Sequence, residues 1–287
     1  MSPTLSPAGR SLPRVPPLAE RYARGALVGV LNVTPDSFSD GGRFDDLESA
    51  LARGRLLAAE GAALVDVGGE STRPGADPVP AGVELGRVLP VIEGLTASGI
   101  AVSVDTSKAE VAQAAVAAGA VLINDVTALR GDPEMAAVVA ATGVDLCLMH
   151  MLGEPRTMQD DPRYQDVVAE VEEFLARRAE AAVAAGIPRE RIALDPGIGF
   201  GKTLAHNLAL LRALPRLARL GPLLLGVSRK RFLGALTGQA AAGDRTAASV
   251  AAALYCYRGG AHLLRVHDVR ATADALAVER ALQGAPC

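Results

Sequence analysis

The 287-residue chain has no tryptophan, and its aromatic residues amount to only 3%. A chain so poor in rings offers no platform on which unpaired bases could stack. It also lacks an excess of charge: 29 Lys and Arg stand against 32 Asp and Glu, a net −3 that gives no reason to expect nucleic acid or an acidic membrane surface as partner. The basic run Arg229, Lys230, Arg231 is too short to change that. Cysteine is scarce, and Cys147, Cys256 and Cys287 lie too far apart for a metal or redox motif. Reduced thiols in a cytoplasmic protein are the simplest account of them. No apolar run reaches the length of a membrane span without a charge or a break, so no membrane partner is expected. Residues 1–20 set Arg10 and Arg14 among Pro3, Pro7, Pro13, Pro16 and Pro17 without the apolar core of a signal peptide. They are expected to form a loosely held arm ahead of a single domain over 21–287.

Nucleotide fingerprints are missing as well. The stretch PGIGFGKT, residues 196–203, looks like a phosphate loop, but that motif needs Gly five positions before its second Gly, where this chain has Pro196. Lys202 is therefore not expected to bind a nucleotide. The absence of a glycine fingerprint at a switch point also argues against an open, doubly wound sheet.

What is present is a well-cored composition, 49% hydrophobic and 21% charged. Its organising stretch is VGVLNVTPDSFSDGG, residues 28–42, in which an apolar run ends on Asn32 and opens into a loop of turn formers that nonetheless contains Phe38. The pattern recurs. ALVDVGG leads into a second Gly- and Pro-rich loop with Thr72, Arg73 and Pro74; IAVSV stops at Asp105, AVLIN at Asn124 and Asp125, VDLCLM at His150, IALD at Asp195, LLLGV at Ser228, and HLLRV ends on His267 and Asp268. Asp45 or Asp46 can cap the first helix, Ser107 and Glu110 have the spacing of a capping box, and Gly61, Gly119 and Gly186 are helix stops. Eight apolar runs, each followed by a helical pattern, predict an α/β fold: a single-domain (β/α)8 TIM barrel.

In such a barrel every strand end faces one mouth, so Asn32, Asp105, Asn124, His150, Asp195, Lys230, Arg265 and His267 are expected to converge. Asp105, Asn124 and Asp195 suit a flat heterocycle rich in N–H groups, while Arg73, Arg265 and His267 suit a polyanion. Asn32 offers the oxygen that a hard cation such as Mg²⁺ takes when phosphates and water supply the rest of its shell. Each position also has a plain structural role open to it. Asp105 or Asp195 can cap a following helix, Arg265 can form a salt bridge inside the barrel, Asp66 can be a buried barrel contact, and His206 and His262 are assigned to structure. The two loops that carry Phe38 and Arg73 are expected to be mobile before ligand binds.

The motifs LNVTPDSFSDGG, GGESTRPG, SVDTSK, IND, LMHM, DPGIGFGK, SRK and RVHD, in this order, resemble those of the bacterial dihydropteroate synthases over residues from about 26 to 280. The resemblance implies condensation of 6-hydroxymethyl-7,8-dihydropterin diphosphate with 4-aminobenzoate to 7,8-dihydropteroate and pyrophosphate, by a cytoplasmic homodimer and with Mg²⁺ on Asn32. It also implies that the pterin lies on Asp105, Asn124, Asp195 and Lys230, and the diphosphate on Asn32, Arg73, Arg265 and His267. Thr72, Pro74, Phe200 and Ser228 would border the aminobenzoate, and Val266 of the closing motif joins the substrate-binding set. Asp105, Arg73 and Lys230 would carry the catalysis. The alternatives are a methyltetrahydrofolate-dependent methyltransferase and a non-catalytic pterin-binding paralogue; neither needs the Arg73 loop together with the RVH ending.

Overall fold

The computed structural model describes residues 16–34, 43–71 and 75–284. Eight strands alternate with helices: β1 Ala26–Asn32, β2 Ala62–Gly68, β3 Val102–Asp105, β4 Leu122–Asp125, β5 Asp145–Met149, β6 Ile192–Asp195, β7 Leu223–Gly226 and β8 Ala261–Val266. Each is parallel to its neighbours, and β8 pairs with β1 to close the barrel, as the sequence predicts.

Alternation along each strand separates two interiors. One set of side chains, including Leu31, Val65, Val104, Ile123, Leu146, Leu194, Leu225 and Leu264, belongs to the large aliphatic cluster shared with the surrounding helices. The other set faces the barrel axis. Near the amino ends of the strands it is apolar, with Val28, Leu64, Leu122, Cys147, Ala193, Leu224 and Leu263 in one cluster. One step further along it turns polar, at Asp66, Ser103, Asp105, Asn124, Asp195 and Arg265. A barrel whose axis is greasy at one end and ionic at the other directs its chemistry to the carboxyl ends of its strands.

The apolar end is closed by the chain's own early segment. The short helix Leu18–Arg21 puts Leu18, fully buried, and Tyr22 into the floor cluster. Arg21 forms an ion pair with the buried Asp145, which Arg191 also approaches at 3.5 Å. The expected loose arm therefore stops short of residue 20: Pro16 to Arg21 are held because burying Leu18 alone contributes about 1.5–3 kcal/mol.

Two local expectations need correction. The Ser107–Glu110 capping box does not form. Lys108 is the N-cap of the helix Ala109–Ala117, the Lys108 N–H donates to Thr106 Oγ1, and Asp132 reaches in from the next loop to accept from the Ala109 N–H at 2.9 Å. That better-placed carboxylate removes the need for Ser107. The first long helix begins at Arg43, ahead of the cap expected at Asp45 or Asp46. Gly61 and Gly119 do sit just past their helices at φ +106° and +101°. Phe38, Thr72, Arg73 and Pro74 lie outside the described residues, as does Cys287.

Candidate active site

The site begins where β2, β3 and β4 end side by side. Gly68 pairs with both Asn32 and Asp105, and the position its Cβ would occupy lies 3.6 Å from Asn32 Oδ1 and 3.5 Å from the Asp105 Cβ, which puts the two side chains on either side of it. Asp105 pairs in turn with Asn124. Asp105 Oδ1 and Asn124 Oδ1 are both buried without a hydrogen-bond partner among the described residues. Each such atom costs about 1–3 kcal/mol until a donor meets it.

Arg265 supplies the balancing charge. Its Nε donates to Asp66 Oδ2 at 2.6 Å and its Nη2 to Asp105 Oδ2 at 2.9 Å, while Ser103 Oγ donates to the other Asp66 oxygen at 2.7 Å. Here the plain reading of Arg265 holds: it is a barrel salt bridge, and a double one. Asp105 is not a helix cap, since Thr106 and Asp132 serve the helix after it. Burial pushes the Asp105 carboxyl up to about 7, with Arg265 pulling down against Asp66, Glu84 and Asp125.

Across the mouth, Asp195 Oδ1 accepts from the Gly197 N–H at 2.7 Å, and burial raises its pKa against the pull of Lys230. Lys230 stands just past β7, at the head of the helix Arg231–Thr237; its ammonium donates to the Ile198 carbonyl and lies 4.6 Å from the centre of the Phe200 ring. Burial lowers its pKa to about 8, opposed by Asp195. Ser228 Oγ lies 3.1 Å from His267 Nδ1 and accepts from the His267 N–H at 3.2 Å, which joins the ends of β7 and β8. Phe200 packs on Val126, Met149, Met151 and Met158.

Asn32, Asp105, Asn124, Asp195, Phe200, Ser228, Lys230, Arg265 and His267 thus rim one mouth. Two expected members do not present a side chain to it. Val266 is buried in the aliphatic cluster behind β8, where alternation from Arg265 sends it, so only its main chain can border a ligand. His150 is buried beneath the mouth, edge-on to Phe174 at 4.8 Å, with Nδ1 2.9 Å from Lys202 Nζ. Lys202, set aside with the failed phosphate loop, is 3% exposed. The sequence signal for it was a lysine between a glycine-rich turn and a helix start, with no solvent-facing pattern around it.

For a metal the donor set is thin. Among the described residues no group of three or more His, Cys, Asp or Glu side chains could hold an ion. The half-buried Asn32 amide next to Gly68 fits an ion that arrives with phosphate oxygens and water, rather than one caged by protein. No helix among the described residues is long and apolar enough to cross a membrane.

The fold and this mouth define a (β/α)8 enzyme whose polar and charged side chains gather at the carboxyl ends of its strands. The family described as pterin binding enzyme matches residues 28–267. The chain is 51% identical over 264 residues to the dihydropteroate synthase of Neisseria meningitidis serogroup B, covering 89% of this chain and 92% of that one. The structure of Xanthomonas albilineans dihydropteroate synthase with 4-aminobenzoic acid superposes with a TM-score of 0.87 at 55% identity, over 92% of this chain and 94% of the other. The same enzyme in complex with 7,8-dihydropteroate gives 0.83 at 51% identity, over 92% and 95%. The chain belongs to the pterin binding enzymes, and within them to the dihydropteroate synthases.

Proposed function

We propose that this mouth condenses 6-hydroxymethyl-7,8-dihydropterin diphosphate with 4-aminobenzoate, forming 7,8-dihydropteroate and pyrophosphate. The observation that carries the assignment to residues is the pair of partnerless buried oxygens, Asp105 Oδ1 and Asn124 Oδ1, at the mouth where Asp195 and Lys230 also stand. A pterin edge brings the N–H donors that these two oxygens lack, further donors for the Asp195 carboxylate, and an acceptor for Lys230. The diphosphate tail is taken by Asn32, Arg265 and His267, joined by Arg73. Aminobenzoate is bordered by Phe200 and Ser228 together with Thr72 and Pro74. Mg²⁺ would be held by Asn32 and the diphosphate, where it supplies charge neutralisation on the leaving group.

In the reaction the bond from the pterin methylene carbon to the diphosphate oxygen breaks, leaving positive charge on the pterin and negative charge on the departing group. The arylamine nitrogen then forms the new C–N bond and sheds a proton to water. The ionised Asp105, fixed by Arg265 and therefore needing no reorganisation, stabilises the first charge. Arg265 and His267 with Arg73 stabilise the second. The arylamine attacks without a protein base. The chain is further proposed to act in the cytoplasm as a homodimer, for which exposed Leu236 and Tyr255 offer apolar area; sedimentation at micromolar concentration reads that state.

A pyrophosphate-release assay with both substrates tests the reaction. Turnover is expected to require aminobenzoate and a divalent ion. Methyl transfer from methyltetrahydrofolate to a corrinoid, without pyrophosphate, would replace the proposal.

A further inference from the structure

Four successive carbonyls in the loop after β6 are each held by a different side chain. Lys230 donates to the Ile198 carbonyl, Gln159 to that of Gly199, Lys202 Nζ to that of Phe200 at 2.9 Å, and the Tyr164 hydroxyl to that of Gly201 at 2.9 Å. Gly197, Gly199 and Gly201 make this possible with φ of +67°, +85° and +63°, alternating with Ile198, Phe200 and Lys202. The loop is also pressed onto the end of β5 and the residues after it. A Cβ on Gly197 would lie 1.8 Å from the His150 carbonyl oxygen, and one on Gly201 2.6 Å from that of Leu152.

Lys202 is the deepest of the four donors. Besides the Phe200 carbonyl its ammonium meets His150 Nδ1 at 2.9 Å and the His150 carbonyl at 3.5 Å. Burial and the Lys202 charge hold the His150 imidazole down to about 3, so it stays neutral and Nδ1 can accept. An apolar side chain of the same length would be far easier to bury than an ammonium. The ammonium's use lies in its bonds, and none of the chemistry above consumes it.

We propose that Lys202 is a positioning residue: by tying the Phe200 carbonyl to the end of β5, it fixes the Phe200 ring at the wall that receives aminobenzoate. This rests on the dihydropteroate synthase reading. It assigns Lys202 to the second substrate and not to the pterin, because Asp105, Asn124 and Asp195 are carried by the ends of β3, β4 and β6, while the hydrogen bonds of Lys202 go to His150 and Phe200.

The test is a double-mutant cycle with Phe200→Ala, read by pyrophosphate release with each substrate varied in turn and by thermal unfolding. Lys202→Met is expected to raise KM for aminobenzoate about tenfold and to leave KM for the pterin diphosphate within about twofold. In the Phe200→Ala background the same change should add less than about twofold, since the ring it acts through is gone. Full additivity in the cycle, or an equal rise in both KM values, overturns the proposal. Should Lys202→Met fail to fold, Tyr164→Phe removes the hydroxyl from the neighbouring Gly201 carbonyl, and the same criteria apply to it. A wild-type protein that releases no pyrophosphate would sink the reaction itself; wild-type turnover with an additive cycle sinks only the role of Lys202.

Discussion

Replacing Asp105 by Asn should damage catalysis and strengthen the fold, and the opposite signs follow from one observation. The Asp105 carboxyl is buried, has one oxygen on Arg265 and one on nothing, and ionises only near pH 7. A rise from 3.8 to about 7, at about 1.4 kcal/mol per pKa unit, means that holding the charge inside the fold costs about 4 kcal/mol. Because the folded-state value is raised, that cost is absent below pH about 4, grows as the pH climbs, and is fully present above about 7. Asp105→Asn keeps the shape and removes the cost, so its melting temperature should exceed that of the wild type at pH 8 and converge on it toward pH 4. In the transition state the same charge faces a developing pterin cation. At an effective dielectric constant of about 20, unit charges about 4 Å apart interact by about 4 kcal/mol. A fixed group of this kind accounts for about 2.7–4 kcal/mol, so kcat should fall by about 10²- to 10³-fold. Wild-type kcat/KM for the pterin substrate should rise through pH about 7 as Asp105 ionises, and the variant's profile should lose that limb. Steady-state pyrophosphate release across pH 5–9, alongside calorimetric melts, measures all three. Near-normal kcat, or an unchanged acid limb, would show that the Asp105 charge does no catalytic work.

Leu18→Ala should cost about 2–5 kcal/mol in denaturant unfolding while leaving kcat intact, because Leu18 fills the barrel floor at the end away from the mouth. A loss of activity in step with stability would contradict that division. Aminobenzoate should bind at least about tenfold more tightly once Mg²⁺ and pyrophosphate are present, a coupling of about 1.4 kcal/mol, and Arg73→Ala should remove most of it. Equal affinities with and without Mg²⁺-pyrophosphate in a calorimetric titration would mean that the aminobenzoate pocket exists beforehand.

The barrel and most of its mouth were legible because a parallel strand writes its end into the chain. An apolar run stops on a polar residue, and at Asn32, Asp105, Asn124 and Asp195 that residue stands at the end of its strand, at the mouth of the barrel. What was not legible depends on partners distant in sequence. Lys202 looks like part of a failed phosphate loop until His150, 52 positions earlier, is folded against it. The Ser107–Glu110 spacing is sound as a local signal but loses to Asp132, which only the tertiary fold brings near. Leu18 lies among prolines and arginines that read as an exposed arm, and nothing local reveals that the floor of the barrel needs a plug. The strand parity that points Arg265 inward sends Val266 outward, a distinction that a motif treating the two as one unit cannot make.

The split between an aliphatic outer face and an inner face that turns polar toward the mouth also bears on how the chain avoids misfolding. Slipping any one strand by a single residue would exchange its two faces. In β2, β3 or β6 the exchange would press Asp66, Asp105 or Asp195 into the hydrocarbon layer under the helices, away from Arg265 and Lys230, and would turn leucine or valine toward the polar mouth. An ionised or unpaired polar group stranded in that layer costs several kcal/mol. The residues that make the barrel chemically useful thereby act as register marks during assembly, each penalising the nearest wrong alignment of its own strand.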